Sequence, residues 1–298
     1  RLHLFHTGDS TSGLLTEDDG EAALASPLEP DGLEGCQIAF LCGPPDATAR
    51  FLSRRSKDGC LAIDVSGQRG AGTRVDALRG VLPSPLPESD LLVLRDPTAT
   101  VLADAIVAAE STGALAGVTA AIDRPASDLG KDALDELFQQ AIAIASFRSI
   151  PKDRLGAQCA FNVYSPADTD AFDGRVAEDV RELLGRDLPV TILSARSGVF
   201  HGTTIRLELR FAGPAPSAGA LRAALLSAGY GFAEADVDGP AGTVDAAGRD
   251  ETLLLGAWSA GSTGRLLLAS DALRRPGAIL AVRVAEAAVA DRGLLPDA

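Results

Sequence analysis

Apolar residues near the start of this chain gather in short unbroken runs, and further along they settle into helical and alternating patterns. Ile38, Ala39, Phe40 and Leu41 are contiguous within CQIAFLCGPP (36–45), which predicts a buried strand closing in a Gly-Pro-Pro loop. DATARFLSRRSKDG (46–59) predicts a helix with Asp46 as N-cap and Gly59 as its stop. CLAIDVSG (60–67) predicts a second buried strand running into a Ser-Gly turn. Strand, helix and strand at this spacing form a βαβ unit, hence a parallel sheet with ligands expected at the carboxyl ends of its strands. RLHLFH (1–6) reads as a strand ahead of this unit. The run at Leu91–Leu94 ends at Asp96-Pro97, and the helical stretch VLADAIVAAE (101–110) follows.

The middle and end of the chain read differently. DLGKDALDELFQQAIAIASF (128–147) carries Leu134, Leu137, Ile142 and Ala145 at helical spacing, with Asp132, Asp135 and Glu136 expected on a solvated face. LGAQCAFNVYSP (155–166) predicts a strand, DGRVAEDVRELLG (173–185) a helix stopped by Gly185, and LPVTILSARSGVF (188–200) a strand. TTIRLELRF (203–211) alternates strictly, with Ile205, Leu207, Leu209 and Phe211 set against Arg206, Glu208 and Arg210. That pattern predicts a strand with one dry and one wet face, typical of an antiparallel sheet packed on helices. LRAALLSAGYG (221–231) predicts a helix, RLLLASD (265–271) a strand, and PGAILAVRVAEAAVADRG (276–293) a closing helix; 213–219 and 239–250 read as loops.

Composition narrows the function classes. The 298 residues are 46% hydrophobic and 23% charged, enough for one large or two ordinary domains with ample core. A net charge of −14 argues against nucleic acid or an anionic membrane as partner, since both need clustered Lys and Arg. The four cysteines, Cys36, Cys42, Cys60 and Cys159, show no C-x-x-C pairing, so neither a disulfide framework nor a structural zinc site is expected, and a reducing cytoplasm is. All four are expected as buried structural thiols. His3 and His6 lack a third ligand for a metal. No run approaches the roughly 20 apolar residues of a membrane span, and no signal peptide is expected at the start. The chain opens on Arg1 and contains no methionine.

GKDALDEL (130–137), AFNV (160–163) and RSGVFHGTTIRLEL (196–209), followed by LASDALRRPGAILAVRVAE (268–286), resemble in that order the aspartate-semialdehyde dehydrogenase family. The resemblance implies a Rossmann-like, NADP-binding parallel-sheet domain over 1–98. It implies an α+β dimerisation domain with an antiparallel or mixed sheet over 99–268. A C-terminal segment over 269–298 would return to the first domain, and the chain would form a homodimer. The family's first strand and Gly-rich phosphate turn precede the region matched here, so NADP binding is expected to be weak or absent, with Gly43, Ser66 and Gly67 left to line a nucleotide crevice.

The family reaction needs a thiolate to attack an aldehyde, a histidine to shuttle protons, a nicotinamide to accept hydride and phosphate to release the acyl group. The family's Asn-Pro-x-Cys turn falls on Asp96-Pro97-Thr98-Ala99, so alanine stands in place of the nucleophile. Seven residues beyond the substrate-binding arginine, matched by Arg196, the catalytic histidine is replaced by Thr203. The Gln that orients the thiol falls near Arg124, the cofactor-holding Asn on Leu280, and the phosphate-binding Lys on Arg175. His201 is a possible substitute for the proton shuttle, because a two-residue step along a strand keeps the same face. Arg196 and Arg175 are the residual anion-binding candidates, and with Arg124 in the same pocket they would make it basic. The resemblance therefore points to a catalytically degenerate member, dimeric and non-catalytic, binding a small anionic molecule or acting in regulation. The alternative is an active NAD(P)-dependent dehydrogenase of amino-acid biosynthesis with relocated catalytic groups such as Cys42 or His201.

Overall fold

In the computed structural model, which describes residues 2–7, 14–18, 21–56, 59–68, 70–232 and 241–293, the chain divides into two compact units. The first comprises residues 1–76, 81–95 and 281–298, and the second residues 77–80 and 96–280.

The first unit begins with β1 (Leu4–His6), β2 (Leu14–Asp18) and β3 (Glu21–Pro27), a three-stranded sheet in which β3 pairs parallel with β1 and antiparallel with β2. The predicted βαβ unit follows as β4 (Ile38–Leu41), α1 (Pro45–Leu52) and β5 (Leu61–Asp64). With β6 (Thr73–Val75) and β7 (Leu91–Leu94) these strands form an all-parallel sheet in the order β4-β5-β7-β6. Every residue of β5 is buried, as its unbroken apolar run requires. Helix α1 departs from expectation. It is capped at Pro44 with Pro45 in its first turn, so Asp46 is a first-turn residue and not the N-cap, and it ends near Ser53 instead of Gly59. Two successive prolines preset the helical φ one residue before the acidic side chain can act as a cap. Residues 57 and 58 of the predicted helix lie outside the described residues.

The second unit opens with α2 (Pro97–Glu110), whose ten buried residues make it a core helix. Then come β8 (Leu115–Arg124), α3 (Lys131–Ala145), β9 (Val163–Tyr164), α4 (Thr169–Leu184), β10 (Val190–Ser197), β11 (Thr203–Phe211), α5 (Ala218–Ser227), β12 (Gly231–Phe232), β13 (Leu253–Ala260) and β14 (Thr263–Ser270). The strands form one mixed seven-stranded sheet in the order β12-β13-β14-β11-β8-β10-β9. Strand β11 alternates as its sequence demands: Ile205, Leu207, Leu209 and Phe211 join Leu102, Ile106, Val176, Val180 and Leu221 of the helices in the main core. A π-helical turn (Leu273–Ala278) leads into α6 (Ile279–Arg292), which from Ala281 onward belongs to the first unit. There Arg292 donates to the carbonyls of Pro87 and Ser89, and Asp291 accepts from the Leu86 amide.

Two expectations around α3 are overturned. The segment 155–166 is a turn in which only Val163 and Tyr164 pair as strand. The cause lies on α3, where Gln140, with no exposed surface, donates to the carbonyls of Pro151 and Ala157 (2.8 and 2.9 Å) and accepts from the amides of Cys159 and Ala160 (2.7 and 3.0 Å). Glu136, expected to be solvated, is buried and accepts from the amides of Arg154 and Leu155 at 2.7 and 3.0 Å. These two side chains take the backbone groups that a neighbouring strand would otherwise have paired.

Candidate functional site

The chemistry-bearing residues of the second unit converge at the carboxyl ends of β8 and β10. The two strands are parallel, and their register sets Arg196 directly beside Arg124. Cross-strand partners share a face, so two guanidinium groups lie next to one another at the sheet edge. Both are buried, Arg196 at 1% exposure and Arg124 at 5%. Two like charges in low dielectric demand carboxylates, and the chain supplies them. Asp128, on the 3-10 turn Ala126–Leu129, lies 3.4 Å from Arg196 Nη1 and 3.7 Å from Arg124 Nε. Arg196 Nη1 also donates to the Pro125 carbonyl. Asp168, at the start of α4, takes the outer fork of Arg124, accepting from Nη2 at 2.9 Å and Nη1 at 3.3 Å. The Arg124 guanidinium lies 4.0 Å from the centre of the Phe172 ring, and that of Arg175 lies 5.6 Å from the same ring.

The titration behaviour follows from this packing. Burial pushes Asp128 up to about 6, outweighing the opposing pull of Arg196 and Arg124. Burial lowers the Arg196 guanidinium from its ordinary value, and the neighbouring Arg124 lowers it further. Asp168 is partly buried, which pushes it up, yet the Arg124 fork holds its carboxyl below the usual range. Burial raises Asp96, with Arg175 opposing and Asp179 reinforcing the rise. The three arginines thus share their surroundings with four aspartates, Asp96, Asp128, Asp168 and Asp179. Arg124 thus lies beside Arg196 and shares the Phe172 ring with Arg175, and the chain's own carboxylates surround them.

The positions matched to the missing catalytic groups can be placed one by one. Asp96 caps α2, its carboxylate accepting from the Thr98 amide at 2.8 Å, and Ala99 in the helix's first turn has no exposed surface and packs in the main core. Thr203 opens β11 and is buried at 3% exposure. His201 is exposed whereas Thr203 is buried, and it precedes β11, so the two-residue step along a strand does not relate them. Gly202, between them, has a φ of 90°, which breaks the extended geometry, and its backbone lies so close to Thr243 that a Cβ would sit 2.8 Å from the Thr243 carbonyl. Cys159 is buried beside this edge, donates its thiol to the Ser197 carbonyl at 3.2 Å, and is raised by burial above the ordinary thiol range.

In the first unit, Gly43, Ser66 and Gly67 follow the ends of β4 and β5. The Ser66 amide donates to Asp64 (2.8 Å), that of Gln68 to the Ser66 hydroxyl (3.3 Å), and that of Gly70 to the Gln68 side chain (2.7 Å). A phosphate needs such amides free, and Asp64 adds a buried carboxylate whose Oδ2 has no hydrogen-bond partner among the described residues. This turn does not fit a dinucleotide diphosphate. Cys42 is exposed and not the buried thiol expected, because it lies just past the last residue of β4; Cys60 is fully buried and Cys36 half-buried. Partial burial and the nearby Asp64 push the Cys42 thiol up, which disfavours the thiolate.

A surface hollow of about 630 Å³ lies beside the carboxyl ends of β8 and β10, lined among others by Asp123, Phe161, Ser197, Gly198, Thr204 and Arg206, with Arg206 paired to Asp123 at 2.8 Å. It contains neither Arg124 nor Arg196. Sequence reasoning missed Asp128 and Asp168, the two carboxylates that close the arginine pair. Thr169 as the true start of α4, which puts Asp168 at its cap position, was the available signal. Among the described residues no group of three or more metal-ligating side chains is placed to hold an ion, and no helix is long and apolar enough to cross a membrane.

No family model matches the chain. Among curated proteins it is similar to the aspartate-semialdehyde dehydrogenases of Rickettsia typhi (22% identical) and Rickettsia conorii (24%), in each case over 191 residues, 58% of this chain and 54% of the relative. The match thus spans about half the length of those relatives. Among solved structures, a probable aspartate-semialdehyde dehydrogenase from Pseudomonas aeruginosa superposes with a TM-score of 0.78 at 21% identity, covering 97% of this chain and 90% of the other. Aspartate semialdehyde dehydrogenase II from Vibrio cholerae superposes with a TM-score of 0.76 at 18% identity, covering 95% and 89%. The mixed α/β architecture, with a four-stranded parallel sheet and a seven-stranded mixed sheet, is the fold of these neighbours.

Proposed function

We propose that this chain, whose curated homologues and structural neighbours are aspartate-semialdehyde dehydrogenases, is a non-catalytic relative with a binding or regulatory role. The observation that carries the reading is Ala99. At the matched nucleophile turn it offers no thiol, and its side chain is packed in the core with no exposed surface. Thr203 in place of the proton shuttle, and an arginine pair closed by internal carboxylates, support the same reading. We further propose that NADP binding is weak, since the turn amides after β5 are already engaged, and that the protein works in the reducing cytoplasm, where its cysteines stay free. The relocated-site alternative gains no support. The Cys42 thiol is pushed up, and the φ of 90° at Gly202 breaks the extended step between the exposed His201 and Thr203.

Purified protein is expected to form no NADPH from the semialdehyde and phosphate, a rate more than about 10⁴-fold below that of a Cys-His enzyme of this fold. Turnover that disappears in Cys42→Ser or His201→Ala would establish the alternative.

A second copy of the chain is the partner we propose for the open face of the mixed sheet. Leu193 projects from the centre of β10 at 60% exposure, opposite the buried Ile192, and the hollow nearby carries Phe161 at 78% and Val163 at 60%. Exposed apolar side chains on one sheet face mark an interface. Leu193→Glu is expected to shift the protein from dimer to monomer in analytical ultracentrifugation, with little change in thermal stability of the monomer; an unchanged sedimentation coefficient would reject this face.

A further inference from the structure

The outer fork of Arg124 is filled in an unusual way. Asp168 is the residue that would cap α4, yet its side chain makes no cap hydrogen bond. Its φ of −87° and ψ of 2° lie in the bridge region and not in the extended conformation of a capping residue. The carboxylate goes instead to Nη1 and Nη2 of Arg124, in the two-point geometry that a free carboxylate or phosphate would adopt. Half of the Asp168 side chain is exposed whereas Arg124 is buried, so solvent reaches the seat from the Asp168 side. Behind it, Arg124 Nε and Arg196 Nε are both buried without a hydrogen-bond partner among the described residues. The cationic pair therefore retains donor capacity that the internal carboxylates do not use.

We propose that Arg124 anchors a site for a small phosphate or dicarboxylate anion, and that Asp168 is its tethered occupant in the unliganded protein. An incoming anion takes the fork, and the displaced Asp168 carboxylate swings to the amides in the first turn of α4, where an aspartate cap is favourable. The two homes for Asp168 lower the cost of displacement, and the buried Phe172 ring under the Arg124 guanidinium keeps the fork in place when its partner changes. The site is autoinhibited by covalent tethering, since a carboxylate on the same chain competes at high effective concentration. The inference deepens the binding reading above and rests on it. Its measurement is independent of turnover, so a failure here leaves the missing catalytic groups where they stand.

The test is calorimetric titration of inorganic phosphate and, separately, succinate into wild-type protein and Asp168→Ser, at constant ionic strength set with chloride. Serine can cap the helix and removes the competing charge, and thermal unfolding within a few degrees of wild type verifies the fold. Asp168→Ser is expected to bind at least one of the two anions about tenfold tighter than wild type, and the anion that gains identifies phosphate or carboxylate as the preferred group. Adding Arg124→Gln to Asp168→Ser is expected to abolish the gain. No tightening for either anion in Asp168→Ser overturns the proposal, as does a gain that survives Arg124→Gln.

Discussion

Replacing Gln140 with leucine is expected to destabilise the second unit by about 3–5 kcal/mol, because it strands four backbone groups at once. The Gln140 amide serves Pro151, Ala157, Cys159 and Ala160 from a position with no exposed surface, so no water stands ready to replace it. Each orphaned buried donor or acceptor costs about 1–3 kcal/mol, and partial water entry keeps the sum below four times that. The loss is local first. Hydrogen exchange at the Cys159 and Ala160 amides is expected to accelerate roughly 100-fold, the equivalent of about 3 kcal/mol. The Cys159 thiol, now buried against Ser197, should become reactive towards a small disulfide reagent. Glu136→Gln, which keeps the shape but weakens the two bonds to Arg154 and Leu155, is expected to cost less, about 1–2 kcal/mol. Denaturant unfolding measures both; a cost below 1 kcal/mol for Gln140→Leu would show that the 151–160 turn is held by its apolar contacts alone.

What the sequence discloses here follows physical rules that differ from element to element. Strand β11 was legible because strict alternation has one structural solution, and β4 and β5 because apolar runs bounded by turns belong in a parallel sheet. Strand β8, an interior strand of the mixed sheet, was not. LAGVTAAIDR is rich in alanine and glycine, which favour neither period, and the strand is held by pairing with β10 and β11 on both sides. Strand β13 hid for a related reason, since a register irregularity between Leu254 and Gly256 disturbs its alternation. The turn at 155–166 failed because its apolar content is real while its backbone partners are side chains about 20 positions earlier, a long-range arrangement that no local pattern encodes.

The candidate site shows the same division. The turn at Asp96-Pro97, its alanine and Arg196 on its strand could be placed from collinear motifs, because each motif carries its own position, whereas Arg124 was reached only by counting back from the motif that follows it. What decides their chemistry could not be. Asp128 and Asp168 reach the arginines from a 3-10 turn and a helix cap, and only the register that sets Arg196 beside Arg124 reveals why two carboxylates are needed there. A sequence containing three well-placed arginines reads as basic; folded, the same residues form an internal network with four aspartates.

That network makes stability depend on pH in a direction unusual for an aspartate. Asp128 titrates at about 6 in the folded protein, above the ordinary value of 3.8, because burial outweighs the attraction of Arg196 and Arg124. The native state therefore holds this proton more tightly than the unfolded chain does. The contribution of Asp128 is fully present below about pH 4 and is lost as pH rises through about 6. The full shift corresponds to about 3 kcal/mol, but 24% of the side chain meets solvent, which screens part of it, so about 1–2 kcal/mol is expected. Asp168, held down by Arg124, works in the opposite sense. Its contribution is present above the ordinary aspartate range and is lost only at lower pH, so it does not mask the window between 4 and 6. Asp96, itself raised by burial, also raises Asp128 and reinforces the slope. Asp128→Asn mimics the protonated form. It is expected to converge on wild type as pH falls to about 4 and below, and to exceed it by about 1–2 kcal/mol at pH 8, with the slope between pH 4 and 6 reduced to the part Asp96 supplies. Denaturant melts of both proteins across pH 4–8 measure this. If Asp128→Asn is instead less stable than wild type at pH 8, the charged Asp128 is a net stabiliser of the arginine pair and the burial argument fails.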